Sequence, residues 1–264
     1  MDKEYILVTG GTGNIGGKIV AHLLKKECNV IYTSRSRQHL KELRTLFEGK
    51  IEKESDAQGV VLDLCDFESL TNFLKEIKRY KITAFINNAA IDNTDFIKDI
   101  KYNSLKRIMD VNCAMPILLM SDLLTNWVEK KVSGKIINIS SLLAIFGSPK
   151  SALYSASKAA MESFLRNVTT EYAKYGIMSN TIRIANIAGD LINENEKTRI
   201  IPYDYYPQEN KKNSMQETPS QRLLSVVELI NLIDFLLFSE IGYLNGQSIN
   251  LDGGISIKYP NYSL

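Results

Sequence analysis

Little in this 264-residue chain suggests a disulfide scaffold, a membrane anchor or a nucleic-acid binder. Cysteine is scarce: Cys28, Cys65 and Cys113 are odd in number and far apart, with neither a disulfide framework nor a metal-ligand spacing. They read as small buried hydrophobes in a reducing, cytoplasmic setting. Charge of one sign is also missing. The 32 basic and 30 acidic residues are interleaved and leave a formal charge of only +2, so no nucleic-acid partner is expected. Long hydrophobic runs are absent. Tyr5-Ile6-Leu7-Val8 runs at once into Thr9-Gly10-Gly11, too short for a secretory signal, so none is expected. Residues 226–238 are broken by Glu228, Asn231 and Asp234, which makes an amphipathic helix and not a membrane span. No internal repeat or low-complexity tract appears.

What remains is a chain 44% hydrophobic and 23% charged, enough for one large α/β domain over residues 1–264. Strand-like and helix-like stretches alternate. Strands are expected at 5–9, 29–33, 59–63, 83–87, 135–140 and 176–184. Helices are expected at 14–26, from the end of the second strand through Leu46, at 115–130 and at 151–174. Near-continuous Ile/Val/Leu strands suit burial on both faces. The expected fold is therefore a single-domain Rossmann-type, doubly wound parallel sheet flanked by helices on both faces. Residues 190–220 break the pattern. They are rich in Asn, Glu, Lys and Tyr, with Pro202, Pro207 and Pro219, and read as a substrate lid over the carboxyl edge of the sheet.

Thr9-Gly10-Gly11-Thr12-Gly13-Asn14-Ile15-Gly16 lies between the first strand and the first helix. Glycines there let a pyrophosphate approach the backbone, and the helix N-terminus supplies N–H groups. Gly10, Thr12, Gly13, Asn14, Ile15 and Gly16 are thus cofactor-binding candidates. The second strand ends Thr33-Ser34-Arg35-Ser36-Arg37, with no acidic residue before Glu42 to hold a ribose 2′-hydroxyl. Arg35, with Ser34 as hydrogen-bond donor, suits a 2′-phosphate, which favours NADP(H) over NAD(H). Asp63, with Leu64, ends the third strand within reach of an adenine. A turn or capping role is the plainer reading of Asp63, and Asp66 competes for it. Asn88 and Ala89, after Asn87, close the fourth strand with room for the cofactor.

Residues 154–158 read Tyr-Ser-Ala-Ser-Lys, and Ser141 stands thirteen residues before Tyr154 at the end of an apolar strand. A Tyr and a Lys four apart share one helix face. The ammonium favours phenolate over phenol, and a strand-end hydroxyl can help hold a carbonyl oxygen. Tyr102 and Lys106 repeat the spacing, but Ala89 stands thirteen residues before Tyr102, so that pair reads as a surface feature.

Taken in order, Thr9–Gly16, Asp63, Asn87-Asn88-Ala89, Asn112, Ser141, Tyr154 with Lys158, and Asn245-Gly246-Gln247 through Leu251-Asp252-Gly253-Gly254 resemble a classical short-chain dehydrogenase/reductase over nearly the whole chain. The resemblance implies that Tyr154 is the general acid/base and that Lys158 lowers its pKa and binds the nicotinamide ribose. It further implies that Ser141 orients the substrate oxygen, Asn112 helps hold a relay water, and the Ile187 backbone meets the carboxamide. A structural helix-kink amide is the alternative for Asn112. The resemblance also implies a homo-oligomer, dimer or tetramer, paired through the helices at 115–130 and 151–174. Three positions depart from the family pattern. Asn14 replaces a glycine, and the turn can survive the change because Asn is able to adopt positive φ. Ile184-Ala185 stands for Pro-Gly, with Gly189 for a Thr. Ala90-Ile91 replaces a glycine. The expected activity is an NADP(H)-dependent interconversion of a small-molecule carbonyl and a secondary alcohol, with sugar, nucleotide-sugar or 3-oxoacyl compounds as candidates. Leu142, Leu143, Ile145, Phe146, Asp190, Tyr203, Tyr205 and Tyr206, with Lys197, Arg199, Lys211 and Lys212, are pocket candidates. The alternatives are an extended-type nucleotide-sugar epimerase or dehydratase, for which the sequence after Gly254 offers no substrate domain, and a non-catalytic dinucleotide sensor.

Overall fold

A computed structural model describes residues 3–47, 55–92, 95–187 and 218–257. Most of the expected lid, with its tyrosines, basic residues and Asp190, lies outside the described residues. Seven strands form one parallel sheet: β1 (Glu4–Val8), β2 (Asn29–Ser34), β3 (Ala57–Val61), β4 (Lys81–Asn87), β5 (Lys135–Ser141), β6 (Met178–Ile184) and β7 (Ser248–Leu251). Their order is β3-β2-β1-β4-β5-β6-β7. The chain winds outward from β1 to β3, returns to β4 beside β1, and winds out the other way. The crevice between β1 and β4 at the carboxyl edge is therefore the topological switch point where ligands bind in such sheets.

Helices α1 (Asn14–Lys25), α2 (Arg37–Phe47), α3 (Phe67–Ile77), α4 (Tyr102–Met109), α5 (Met115–Lys130), α6 (Ala152–Tyr172) and α7 (Val226–Phe238) cover the two faces. Alternation along each strand divides the core. Leu7, Phe85 and Ile136 face a cluster with Leu70 and Phe73 of α3, Leu119 and Trp127 of α5, and Met161 and Leu165 of α6. Val8, Ile86, Ile137 and Ile182 face the other cluster, with Ile19 and Leu23 of α1 and Leu229 and Ile233 of α7. Burial on both faces explains why these strands read as unbroken apolar runs. The α7 helix starts on a capping box: the Ser225 hydroxyl accepts from the Val227 N–H at 3.2 Å, and Glu228 accepts from the Ser225 N–H at 3.0 Å.

The stretch Tyr102–Lys130 is continuous helix, long and apolar enough by length and composition to cross a membrane. Over half of its most apolar window is buried against the sheet, as befits a core helix. Its middle, Asp110–Ala114, widens into a π turn. Some expectations need correction. The third strand begins at Ala57 and ends at Val61, because Asp63 already belongs to a turn. The cysteines are not uniformly buried: Cys113 is buried, Cys28 half-buried and Cys65 exposed in the turn before α3.

Candidate active site

The β1–α1 turn is shaped by two glycines at which a side chain would be strained or would clash. Gly10 has φ +64°, and a Cβ there would stand 3.0 Å from the Ala89 Cα. A Cβ on Gly16 would stand 2.1 Å from the Gly10 carbonyl oxygen. Gly13 is the N-cap of α1 in extended conformation, offers no side chain to the helix end, and is followed by no acidic residue in the first turn. That leaves the N-terminus of α1 suited to an anion. Asn14 is the first helical residue, and it is not among the residues with positive φ. Gly10 carries the positive φ of this turn, so the capacity of Asn for that conformation is not called on at position 14. Thr12 donates to the Ser34 hydroxyl at 2.9 Å, linking the turn to the end of β2. Ile15 is half-buried and packs against the α1 side of the core.

Thr9, fully buried at the end of β1, fastens β1 to β4 across the switch point. Its hydroxyl accepts from the N–H groups of Asn88 and Ala89, at 3.1 and 3.2 Å. The Asn88 amide donates to the Thr9 carbonyl at 3.0 Å. Beneath it, Asn87 donates to Asn138 at 2.9 Å, joining β4 to β5.

Tyr154 and Lys158 lie on the first two turns of α6. Lys158 is 5% exposed, its ammonium donates to the Ile139 carbonyl at 2.8 Å, and it sits 5.6 Å from the centre of the Tyr154 ring. Burial pushes Lys158 down to about 8, against the opposing pull of Glu162 and Asp92. Ser141, at the end of β5, accepts from the Leu143 N–H at 3.2 Å. Among the described residues its hydroxyl donates to no acceptor. Asn112 is buried in the π turn. Its amide nitrogen donates to the Ile91 carbonyl at 2.8 Å and to Ser157 at 3.0 Å, while its oxygen accepts from the Ile91 N–H at 2.8 Å. Ser157 in turn donates to the Tyr154 carbonyl at 2.7 Å. The Ile91 backbone, where the family pattern has a glycine just before, is thereby locked to the helix that carries Tyr154. The look-alike pair behaves as a surface pair: Tyr102 is exposed, and Lys106 bonds Asp110.

Arg35 is exposed just beyond β2, and Ser34 beside it is buried, accepting from Thr12 and from the Ser36 N–H. The Asp63 carboxylate accepts from the Cys65 N–H at 2.8 Å in a tight turn, and Asp66, as anticipated, caps α3. Leu64 is buried. Ile187 forms a parallel bridge with Leu224 past the end of β6. Of the pocket candidates after β5, Ile145 and Phe146 are exposed, whereas Leu142 is buried.

Three features escaped the sequence: the Thr9 clasp, the Ser157 link, and an ion pair between Glu162 of α6 and Arg183 of β6. An arginine inside an apolar strand is the one signal that announced the last, since a buried cation calls for a partner.

A family profile for short chain dehydrogenases matches residues 4–200. The chain is 26% identical over 257 residues to the 3-oxoacyl-acyl-carrier-protein reductase of Buchnera aphidicola from Acyrthosiphon pisum, covering 97% of this chain and 98% of that one. It is 27% identical over 258 residues to the L-xylulose reductase of Caenorhabditis elegans, covering 97% and 96%. A gluconate 5-dehydrogenase from Burkholderia cenocepacia, solved in complex with NADP and tartrate, shares the fold with a TM-score of 0.83 at 21% identity, covering 98% and 97%.

Proposed function

Since the chain belongs to the classical short-chain dehydrogenase/reductase family and is an oxidoreductase of that family, we propose that it reduces a small-molecule ketone with NADP(H) and carries out the reverse oxidation. The observation that carries the reading is the buried Lys158 ammonium beside the Tyr154 ring, at the carboxyl end of β5. When bound, the nicotinamide supplies or receives the hydride at the carbonyl carbon. Tyr154 gives its proton to the oxygen that gains charge, and Ser141 donates a hydrogen bond to the same oxygen. Lys158 stabilises the phenolate left behind. Asn112 serves as a positioning residue, because both its amide hydrogens are already engaged by Ile91 and Ser157.

The α1 N-terminus, with Gly10, Thr12, Gly13, Asn14, Ile15 and Gly16 around it, is the seat for the pyrophosphate. The exposed Gly13 and the helix end without a side-chain cap support that placement. Arg35 and Ser34 take the ribose 2′-phosphate. The adenine lies by Asp63 and Leu64, and the nicotinamide ribose by Asn88, Ala89, Tyr154 and Lys158, with the Ile187 backbone at the carboxamide. Residues 190–220 form the substrate lid of a single domain, and the chain works as a homo-oligomer.

The substrate class rests on the relatives. Reductases of 3-oxoacyl thioesters and of a ketose both resemble this chain end to end. The test measures NADPH and NADH oxidation with acetoacetyl thioesters and with L-xylulose. NADPH-dependent turnover of either substrate supports the reading. Cofactor binding without turnover on both, and on a wider ketone panel, points instead to a dinucleotide sensor.

A further inference from the structure

Behind the proposed site lies a buried charged cluster that the reaction as described does not use. Glu162 is 3% exposed and stands one helical turn past Lys158 on α6. Arg183 of β6 grips its carboxylate, with Nε 3.0 Å from both oxygens and Nη2 2.5 Å from one. Ser140 of β5 donates to the same carboxylate at 2.7 Å, and Ser248 of β7 at 3.2 Å. Three consecutive residues of β5 therefore face the site machinery. The Ile139 carbonyl holds Lys158, Ser140 holds Glu162, and Ser141 is the proposed ligand of the substrate oxygen.

A buried ion pair is a poor device for stability alone, since well-packed apolar residues usually do as well. The face of α6 beside it already buries Met161 and Leu165 against the sheet. We infer that Glu162, locked by Arg183, is a positioning residue of the proposed site: it keeps a fixed negative charge one turn behind Lys158 and fastens that lysine's helix to the strand bearing Ser141. This rests on the reading of Tyr154 and Lys158 given above.

Among the described residues, the charged and titratable groups around Lys158 are few. Tyr154 and Glu162 come from its own helix, Asp92 from the segment after β4, and Arg183 from β6 behind Glu162. From β5 comes only the neutral Ile139 carbonyl. Burial works against the Lys158 cation, and Glu162 is the larger of the two anions that oppose it. Removing the Glu162 charge also leaves Arg183 as an unpaired cation nearby. Both changes disfavour the Lys158 ammonium, so their signs add.

The experiment follows the ε-carbon of Lys158 by NMR in lysine-labelled protein titrated with base, the signal being assigned by its loss in Lys158→Met. Glu162→Gln is expected to lower the Lys158 midpoint by about one pH unit, the low end for a nearby opposite charge. Arg183→Lys keeps both charges and is expected to leave the midpoint in place, even if thermal stability falls. If Glu162→Gln does not fold, the paired change Glu162→Gln with Arg183→Gln removes both charges, and a smaller drop in the same direction is expected. An unchanged midpoint in the Glu162 variants, with stability alone reduced, means a merely structural pair and overturns the inference. If Lys158 of the unaltered protein titrates like an ordinary exposed lysine, the Tyr154–Lys158 reading itself fails, which is a separate outcome.

Discussion

Lys158 burdens the fold, and the burden has a calculable pH signature. The side chain is 5% exposed, and among the described residues its ammonium has one hydrogen bond, to the Ile139 carbonyl. Burial takes it from 10.5 to about 8. At about 1.4 kcal/mol for each unit, that difference amounts to ~3 kcal/mol. Below pH 8 lysine is protonated in both folded and unfolded chains, and the full penalty is present. Between about pH 8 and 10.5 the unfolded chain binds the extra proton, so stability rises with pH by ~3 kcal/mol in total. Lys158→Met removes the charge with little change in volume, but strands the Ile139 carbonyl at a cost of about 1–3 kcal/mol. Near pH 7 the two effects roughly cancel, so the variant is expected to match the parent in urea unfolding although it loses the proposed catalytic lysine. Towards pH 10.5 the parent is expected to gain ~3 kcal/mol relative to the variant. Ionisation of the other tyrosines and lysines is common to both proteins and drops out of the comparison. A stability difference that stays constant across this range refutes the reasoning.

Three other changes have defined outcomes. Gly16→Ala forces a Cβ to 2.1 Å from the Gly10 carbonyl; dinucleotide binding by fluorescence titration is expected to disappear, with a loss of about 1–3 kcal/mol in stability from overpacking. Arg35→Asp replaces the exposed cation at the end of β2 with a ribose-hydroxyl acceptor, and the ratio of kcat/KM for NADPH to that for NADH is expected to fall by at least tenfold, about 1.4 kcal/mol. Ser225→Ala removes the α7 cap, so thermal unfolding is expected to show a loss of ~1 kcal/mol.

The alternation of apolar strands with amphipathic helices made the layers of this fold legible, because strands buried on both faces leave no polar positions to blur the pattern. The strand β7 was not legible as a strand. It is four residues at the sheet edge with Asn250 exposed, so it has neither the length nor the burial that marks the others. The phosphate turn was legible in composition and in where its helix begins, at Asn14. Asn14 lies one position inside the helix, so it needs no special φ, and the strain falls on Gly10. The Tyr154–Lys158 pairing was legible because residues four apart share one helix face. The Glu162–Arg183 pair was not, since its partners come from four elements whose contact only the sheet order creates. For Asn112 the spacing identified the residue, but only the packed structure revealed that its amide is spent on Ile91 and Ser157.

The most direct test of the account is Tyr154→Phe, which removes one oxygen from the half-buried ring beside Lys158. NADPH is expected to bind as before, while turnover of the reducible ketone falls by ~10²–10⁴-fold, the usual worth of a placed proton donor. Turnover equal to that of the unaltered protein contradicts the claim that this phenol moves the proton.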